Sequence, residues 1–453
     1  MAISGAASRG AADGDDSAAS LQGLEHPLLH AYEARKDDPA AAGDREAQRF
    51  GPEADGGASF VRTCFNGLNA LSGVGLLSIP YALSEGGWLS LALLLVVAAV
   101  CCYTGLLLQR CMDASPAARG YPEIGELAFG RGGRLAASAF LYAELYLVAI
   151  GFLILEGDNL DKLFPGTSLG LALGGGRLVV ICGKQLFVVL VALVILPTTW
   201  LRSLGVLAYV SASGVLASAV VVVCVLWTAV ADGVGFRAQG RMINVSGLPT
   251  ALGLYTFCYC GHAIFPTLCN SMKEKKKFSR VLGICFAACT LNYGSMAILG
   301  YLMYGDDVKS QVTLKLPEGR VSSKLAIYTT LINPFSKYAL MVTPLATAVE
   351  ERLLTAGTKS KRSFSVLIRT LLVVSTVVVA LAVPFFGHLM ALVGSLLSVM
   401  ASMLLPCVFY LKIFGVARCG GAEVALIVAI LVLGSLVAAT GTYSSLKKIV
   451  HEF

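Results

Sequence analysis

From residue 59 onward, long apolar runs alternate with short polar connections, whereas residues 1–58 contain no such run. A helix needs about 20 predominantly apolar residues to cross a bilayer. Eleven stretches meet that length, at roughly 60–84, 88–111, 133–157, 178–201, 204–230, 248–271, 279–303, 323–352, 364–384, 387–411 and 421–443. The third and eighth carry internal charges. Tyr121 to Gly130 reads as a short interfacial helix or loop, and Tyr304 to Ser322 as a longer polar loop. The pattern predicts an all-α polytopic membrane protein of eleven transmembrane helices, with its transmembrane domain over 59–445 and a short C-terminal tail over 446–453.

Two runs are interrupted. Ser72-Gly73-Val74-Gly75 breaks the first, with Pro80 a turn further on, and Tyr259-Cys260-Gly261-His262 breaks the sixth, followed by Pro266. Glycine removes steric restriction and weakens a helix at such points. Inside a bilayer every backbone polar group must be satisfied, so a break at membrane depth is tolerated only where it lines a protein-enclosed cavity. Matching breaks five spans apart predict a five-plus-five inverted repeat, with helix 11 left over and a transporter site between discontinuous helices 1 and 6.

Composition agrees with this reading. The chain is 56% hydrophobic and 14% charged, against roughly a quarter charged in soluble domains. Its net charge of +7 is spread over loops rather than gathered in a basic domain with interleaved aromatics, so no nucleic acid partner is implied. Arg119, Arg131, Arg202, Lys273, Lys275, Lys276, Lys277 and Arg280 fall on one side, as do Lys359, Lys361, Arg362, Lys412 and Arg418. The preference for basic residues on the cytosolic side places them and the N-terminus in the cytosol, and the C-terminus opposite. Asn244-Val245-Ser246, a glycosylation sequon, then lies in a non-cytosolic loop.

Most cysteines sit inside apolar runs, where they act as small buried hydrophobes. Cys258 and Cys260 lack a second cysteine pair, so no metal is expected, and the absence of HExxH and GxSxG patterns argues against an enzyme. Residues 1–58 are too poor in apolar side chains to fold alone and read as a disordered cytosolic tail. Within it, Glu25 precedes Leu28-Leu29, which is either a dileucine signal for a sorting adaptor or an ordinary pair of leucines.

Phe65-Asn66-Gly67-Leu68-Asn69, the run from Ser72 to Tyr81 and Gly86-Gly87-Trp88 resemble the first span of the amino acid/auxin permease family. Glu156-Gly157-Asp158-Asn159-Leu160, the run Gly261 to Pro266, and Asn333-Pro334-Phe335-Ser336-Lys337-Tyr338 resemble its vacuolar amino acid transporter branch, related to the vesicular inhibitory amino acid transporters. The resemblance covers nearly everything after residue 59. It implies the amino acid–polyamine–organocation fold, shared with LeuT-like transporters, and proton-coupled movement of amino acids across a vacuolar or, alternatively, plasma membrane.

A free amino acid offers an anion and a cation one backbone apart. Amides around Ser72, Gly73, Val74, Gly75 and Leu76 suit its carboxylate, because a half-helix N-terminus presents free donors and a positive dipole end. Carbonyls freed at Tyr259, Cys260 and Gly261 suit its ammonium. Coupling needs an ionisable group near the cavity, and intramembrane ionisable residues default to functional candidates. His262 either couples and gates or packs the sixth break; Glu144 is a proton carrier or a structural hydrogen-bonding group. Span eight helps form a sodium site in sodium-coupled members of this fold. Lys337 can place a tethered cation there, pair with Glu144 or snorkel to an interface.

Asn66 and Asn69, three apart, line the cavity or bond between helices. Glu156, Asp158 and Asp161 form a proton-attracting vestibule or a solvated helix end. No cofactor is expected beyond the proton as coupling ion. The reading of function is thus a proton-coupled secondary transporter of amino acids, working by alternating access in the lipid bilayer. A sensor of amino acids with the same fold and a plasma-membrane auxin-type permease are the alternatives.

Overall fold

The computed structural model describes residues 57–116, 118–173, 177–200, 205–236, 240–353 and 361–452. The Leu28-Leu29 signal and nearly all of the expected tail lie outside them.

Helix α1 (Phe60–Leu71) starts at Ser59, whose hydroxyl accepts from the Arg62 amide at 3.3 Å, satisfying one of the orphan donors of the first turn. It gives way at Ser72–Val74 to α2 (Gly75–Gly86). Then follow α3 (Ser90–Asp113), α4 (Tyr121–Leu163), α5 (Gly183–Trp200) and α6 (Gly205–Val230). The sixth run forms α7 (Leu248–Cys258) and α8 (Phe265–Asn270). After these come α9 (Phe278–Tyr304), α10 (Val321–Leu353) and α11 (Lys361–Ala382). The last two are α12 (Phe386–Phe414) and α13 (Gly421–His451). Both sequence breaks are therefore real breaks in the helices. Near α1 the Ala58 amide donates to Ser271 O at 2.7 Å and the Lys273 amide to Ala58 O at 3.1 Å, tying the entry of the first broken helix to the exit of the second.

Several boundaries differ from the sequence pattern. α4 runs from Tyr121, so the interfacial segment and the third span join across a kink at Phe129 and Gly130, where Gly130 takes φ 63°; only glycine adopts that conformation without strain. Residues 178–182 are not the start of a helix. They belong to a hairpin of β1 (Ser168–Leu173) and β2 (Arg177–Cys182), antiparallel with Ser168 opposite Cys182 and Leu173 opposite Arg177. An apolar run rich in Leu, Val and Ile reads equally as strand or helix by hydrophobicity alone. At the other end, α13 takes residues 446–451 into its helix. Inside α12, Val393–Ser398 and Met400–Leu404 are wound as π-helix, a distortion that recurs at functional sites.

Among the described residues, seven of these helices (α3, α4, α5, α9, α11, α12 and α13) are long and apolar enough to cross a membrane. Their outward faces stay apolar: Leu371, Val374 and Val378 of α11 and Val432 and Leu436 of α13 are all exposed, the stripe a lipid-facing helix presents. The core lies inside the bundle, where α9 packs on α1 and α2 while α10 packs on α4 and α6.

The loop before α7 is fixed to the α2–α3 junction. Trp88 and Leu89 amides donate to Arg241 O (3.0 Å) and Met242 O (2.9 Å), and the Asn244 amide to Gly86 O (3.0 Å). Gly87 turns this corner at φ 80°, and a Cβ there would fall 2.8 Å from the Arg241 and Met242 carbonyls. Asn244 is half-buried on this loop, its Oδ1 accepting from Ser246 Oγ at 2.7 Å, beside the exposed Val245.

Candidate functional site

The end of α1 leaves carbonyls that a continuous helix would satisfy itself. Those of Leu68, Asn69, Leu71 and Ser72 find specific donors. The Ser72 amide donates to Leu68 O at 2.7 Å. Lys337 Nζ, reaching in from α10, donates to Asn69 O at 3.0 Å and Ser72 O at 2.9 Å. Tyr293 of α9 donates its hydroxyl hydrogen to Leu71 O at 2.5 Å. A lysine at a helix C-terminus also meets the negative end of the dipole. Lys337 is buried, and among the described residues its hydrogen bonds go to these carbonyls and not to Glu144. The Lys337 ammonium group therefore lies at the first break, bonded to backbone.

Tyr293 joins the two breaks. The same hydroxyl lies 3.2 Å from Cys258 O, the last carbonyl of α7, and the Gly73 amide faces it. The Tyr259 amide closes back on Tyr255 O and Thr256 O, and Cys260 N on Phe257 O. Among the described residues no hydrogen bond ends on the carbonyls of Tyr259 and Cys260 or leaves the amides of Val74 and Gly75, whereas the Leu76 amide is engaged by Gly73 O at 3.3 Å and Gly261 O accepts from Ile264. Among the described residues, amides are thus left without partners at one break and carbonyls at the other.

The glycines divide the work. A Cβ on Gly75 would fall 2.5 Å from Cys258 Sγ, so this glycine lets α2 approach the end of α7; at Gly73 an added Cβ meets nothing within 4 Å. Gly261 is likewise close-packed, against Leu71 and Phe265. Ser72 points away from the break and donates to Ser218 Oγ of α6 at 2.6 Å. The Tyr259 side chain is fully buried and donates to Thr290 at 2.9 Å.

His262 is fully buried, its Nε2 3.0 Å from Cys101 O and 3.0 Å from Thr104 Oγ1. It ties the second break to α3, while its Nδ1 is buried without a hydrogen-bond partner among the described residues. Glu144 comes to the second break from α4: Ser398, in the π-helical stretch of α12, donates to its carboxylate at 2.5 Å, and the Cys260 thiol faces it. The two asparagines separate. Asn69 is buried and packs against Gly214 beside Asn333, but Asn66 is exposed. Asn66, three residues earlier, does not join Asn69 in its buried contact with α6.

Tyr293, Ser218 and Ser398 are the site residues that pattern reading missed; each is a polar side chain inside an apolar run. Two cavities, of ≈ 450 Å³ at Glu85, His388 and Lys448 and ≈ 330 Å³ at Asp158, Lys184 and Pro384, lie where α2, α4 and α13 end and α5, α7 and α12 begin; neither is lined by the break residues. Replacing Tyr293 with phenylalanine removes the clamp and is expected to lower the unfolding free energy by about 1–3 kcal/mol. Thermal melting of the purified variant checks this.

Residues 56–447 match the family described as transmembrane amino acid transporter protein. The chain belongs to that family. This transporter is 52% identical over 395 residues to amino acid transporter AVT1I of Arabidopsis thaliana, covering 87% of this chain and 96% of that one. It is 50% identical over 399 residues to amino acid transporter AVT1J of the same organism, covering 88% and 93%. A solved Na+-coupled sialic acid symporter aligns with 15% identity and a TM-score of 0.49 over 93% of this chain and 95% of that one. The family and its apolar helices make this an integral, multi-pass membrane protein, and a transporter rather than an enzyme.

Proposed function

We propose that this protein moves amino acids across a membrane by coupling them to protons, through a site formed between the breaks in α1–α2 and α7–α8. The observation that carries the reading is Lys337, bonded to Asn69 O and Ser72 O. It sets a covalently held amino group among the backbone carbonyls of the first break, which disfavours a soluble sodium ion there and favours a proton as the coupling ion. The relatives named as amino acid transporters support the cargo.

In this account the substrate carboxylate takes the Val74 and Gly75 amides, the donors left without partners at the N-terminus of α2, and its ammonium takes the carbonyls of Tyr259 and Cys260. Glu144 lies beside Cys260 and supplies the titratable group that responds to the ammonium. Recognition through backbone groups reads what all amino acids share. The space beyond Gly73 leaves room for a side chain, and the substrates are proposed to be neutral amino acids.

The eleven helical passages are proposed to form two inverted repeats, α1–α6 and α7–α12, with α13 outside them and the N-terminus in the cytosol. Alternating access then rocks one set of helices against the other, with Tyr293 making and breaking its bond across the two breaks. The membrane proposed is vacuolar, on the resemblance to that branch. Purified protein in vesicles loaded with a pH-sensitive dye tests the function: a neutral amino acid should start a proton flux that depends on the protein. An amino acid that moves with no accompanying proton overturns the coupling.

A further inference from the structure

Glu156 lies on α4, 12 residues beyond Glu144, on the order of 18 Å along the axis at about 1.5 Å per residue. It is fully buried, and neither carboxyl oxygen has a hydrogen-bond partner among the described residues. No ion pair among those residues ends on it. An ionised carboxylate buried without a partner is costly unless a proton or cation joins it.

One turn on, Asn159 donates to Gln311 Oε1 at 2.6 Å and Leu155 O at 2.8 Å, leaving its own Oδ1 buried and without a partner. Gln311, fully buried, donates to Asp158 Oδ2 at 2.9 Å. Asp158 pairs with Lys184 of α5 at 2.5 Å. These last two line the ≈ 330 Å³ cavity at the end of the bundle. A continuous series of polar side chains therefore leads from that cavity to the buried turn that carries Glu156.

The remaining charges nearby are engaged or turned outward. Lys162 donates to Leu314 O at 2.9 Å and faces Glu318, Lys309 and Lys315 of the 305–320 segment. Asp161 faces Asp158, Lys324 of α10 is exposed, and His388 of α12 lies on the far wall of the cavity.

We propose that Glu156 is a proton-binding site, loaded from the cavity at Asp158 and Lys184 on the side opposite the basic loops and separate from the substrate site. A hydronium ion in the cavity passes its proton along ordered water to a Glu156 carboxylate oxygen. One O–H bond forms, one breaks, and a water molecule is left behind. The proposal rests on proton-coupled transport and places proton loading in series with Glu144.

The test compares substrate counterflow, which needs no net proton movement, with substrate-driven proton flux in vesicles of wild type and Glu156→Gln. The variant should keep counterflow near the wild-type rate and lose the proton flux. Wild-type flux in Glu156→Gln overturns this site while leaving coupling intact; absence of flux in the wild type overturns the coupling reading itself and the site with it. Should Glu156→Gln lose counterflow too, Glu156→Asp decides. A shifted pH profile of uptake supports the site, and an unchanged profile overturns it.

Discussion

Replacing Lys337 with methionine is expected to reduce amino acid uptake to background. Methionine keeps most of the length and fills the space but donates nothing. The carbonyls of Asn69 and Ser72 then lose their donor in a buried place. Hydrogen bonds to a charged group contribute about 1.5–3 kcal/mol each, so the break in α1 loses the contact that fixes its geometry. The cation at the negative end of the α1 dipole goes with it. Lys337→Arg should not restore uptake, because a planar guanidinium is not a substitute for a compact ammonium between two carbonyls. Uptake by purified, vesicle-reconstituted variants, beside their melting temperatures, checks this. Full uptake by the methionine variant would show that Lys337 is a packing residue.

The second large effect separates two glycines that look alike in the sequence. Gly75→Leu should lose uptake and stability together, because even a Cβ falls 2.5 Å from Cys258 Sγ and 3.4 Å from Cys258 Cα. Overpacking of this kind costs about 1–3 kcal/mol or more. Shortening the opposing side chain should recover part of the loss, so Gly75→Ala combined with Cys258→Ala is expected to outperform Gly75→Ala alone. Gly73→Leu should behave differently. Its first added atom meets open space, so the protein should fold and insert as wild type while uptake disappears, since the leucine occupies the room proposed for the cargo. Melting temperatures and substrate binding measured on the same samples distinguish the two patterns. Equal loss of stability at both positions would contradict the division of roles.

Much of this architecture is legible in the chain. Ser72 to Gly75 and Tyr259 to His262 interrupt apolar runs, and both are breaks in the structure because glycine and proline act locally, within a turn of where they stand. Lys337 and Glu144 stand out because an ionisable group in an apolar run needs a reason. What they touch is not legible, since partners such as Asn69 O and Ser398 Oγ come from distant parts of the chain and are set by tertiary packing. Tyr293 illustrates the limit. Its tyrosine is unremarkable among the chain's 16, and only the fold brings its hydroxyl to Leu71 O and Cys258 O at once. His262 stands out by its type, but only the fold shows that its Nε2 meets Cys101 O and Thr104 while its Nδ1 is buried without a hydrogen-bond partner among the described residues.

The hairpin at Ser168–Cys182 was hidden for a different reason. Apolar strands and membrane helices share their hydrophobicity, and only Gly183-Lys184-Gln185 separates the strand Arg177–Cys182 from the apolar part of α5. The final turns of α13 were hidden by charge. Lys447 and Lys448 suggest the end of a span, but Lys448 bonds to Glu85 of α2 at 2.7 Å and the helix continues to His451.

Uptake of a neutral amino acid into vesicles holding the purified protein, under proton and sodium gradients imposed one at a time, tests the central claim most directly. A proton gradient alone should drive accumulation, and a sodium gradient alone should not. Accumulation that strictly requires sodium would contradict the account, because Lys337 would then not stand in for the coupling cation at the first break.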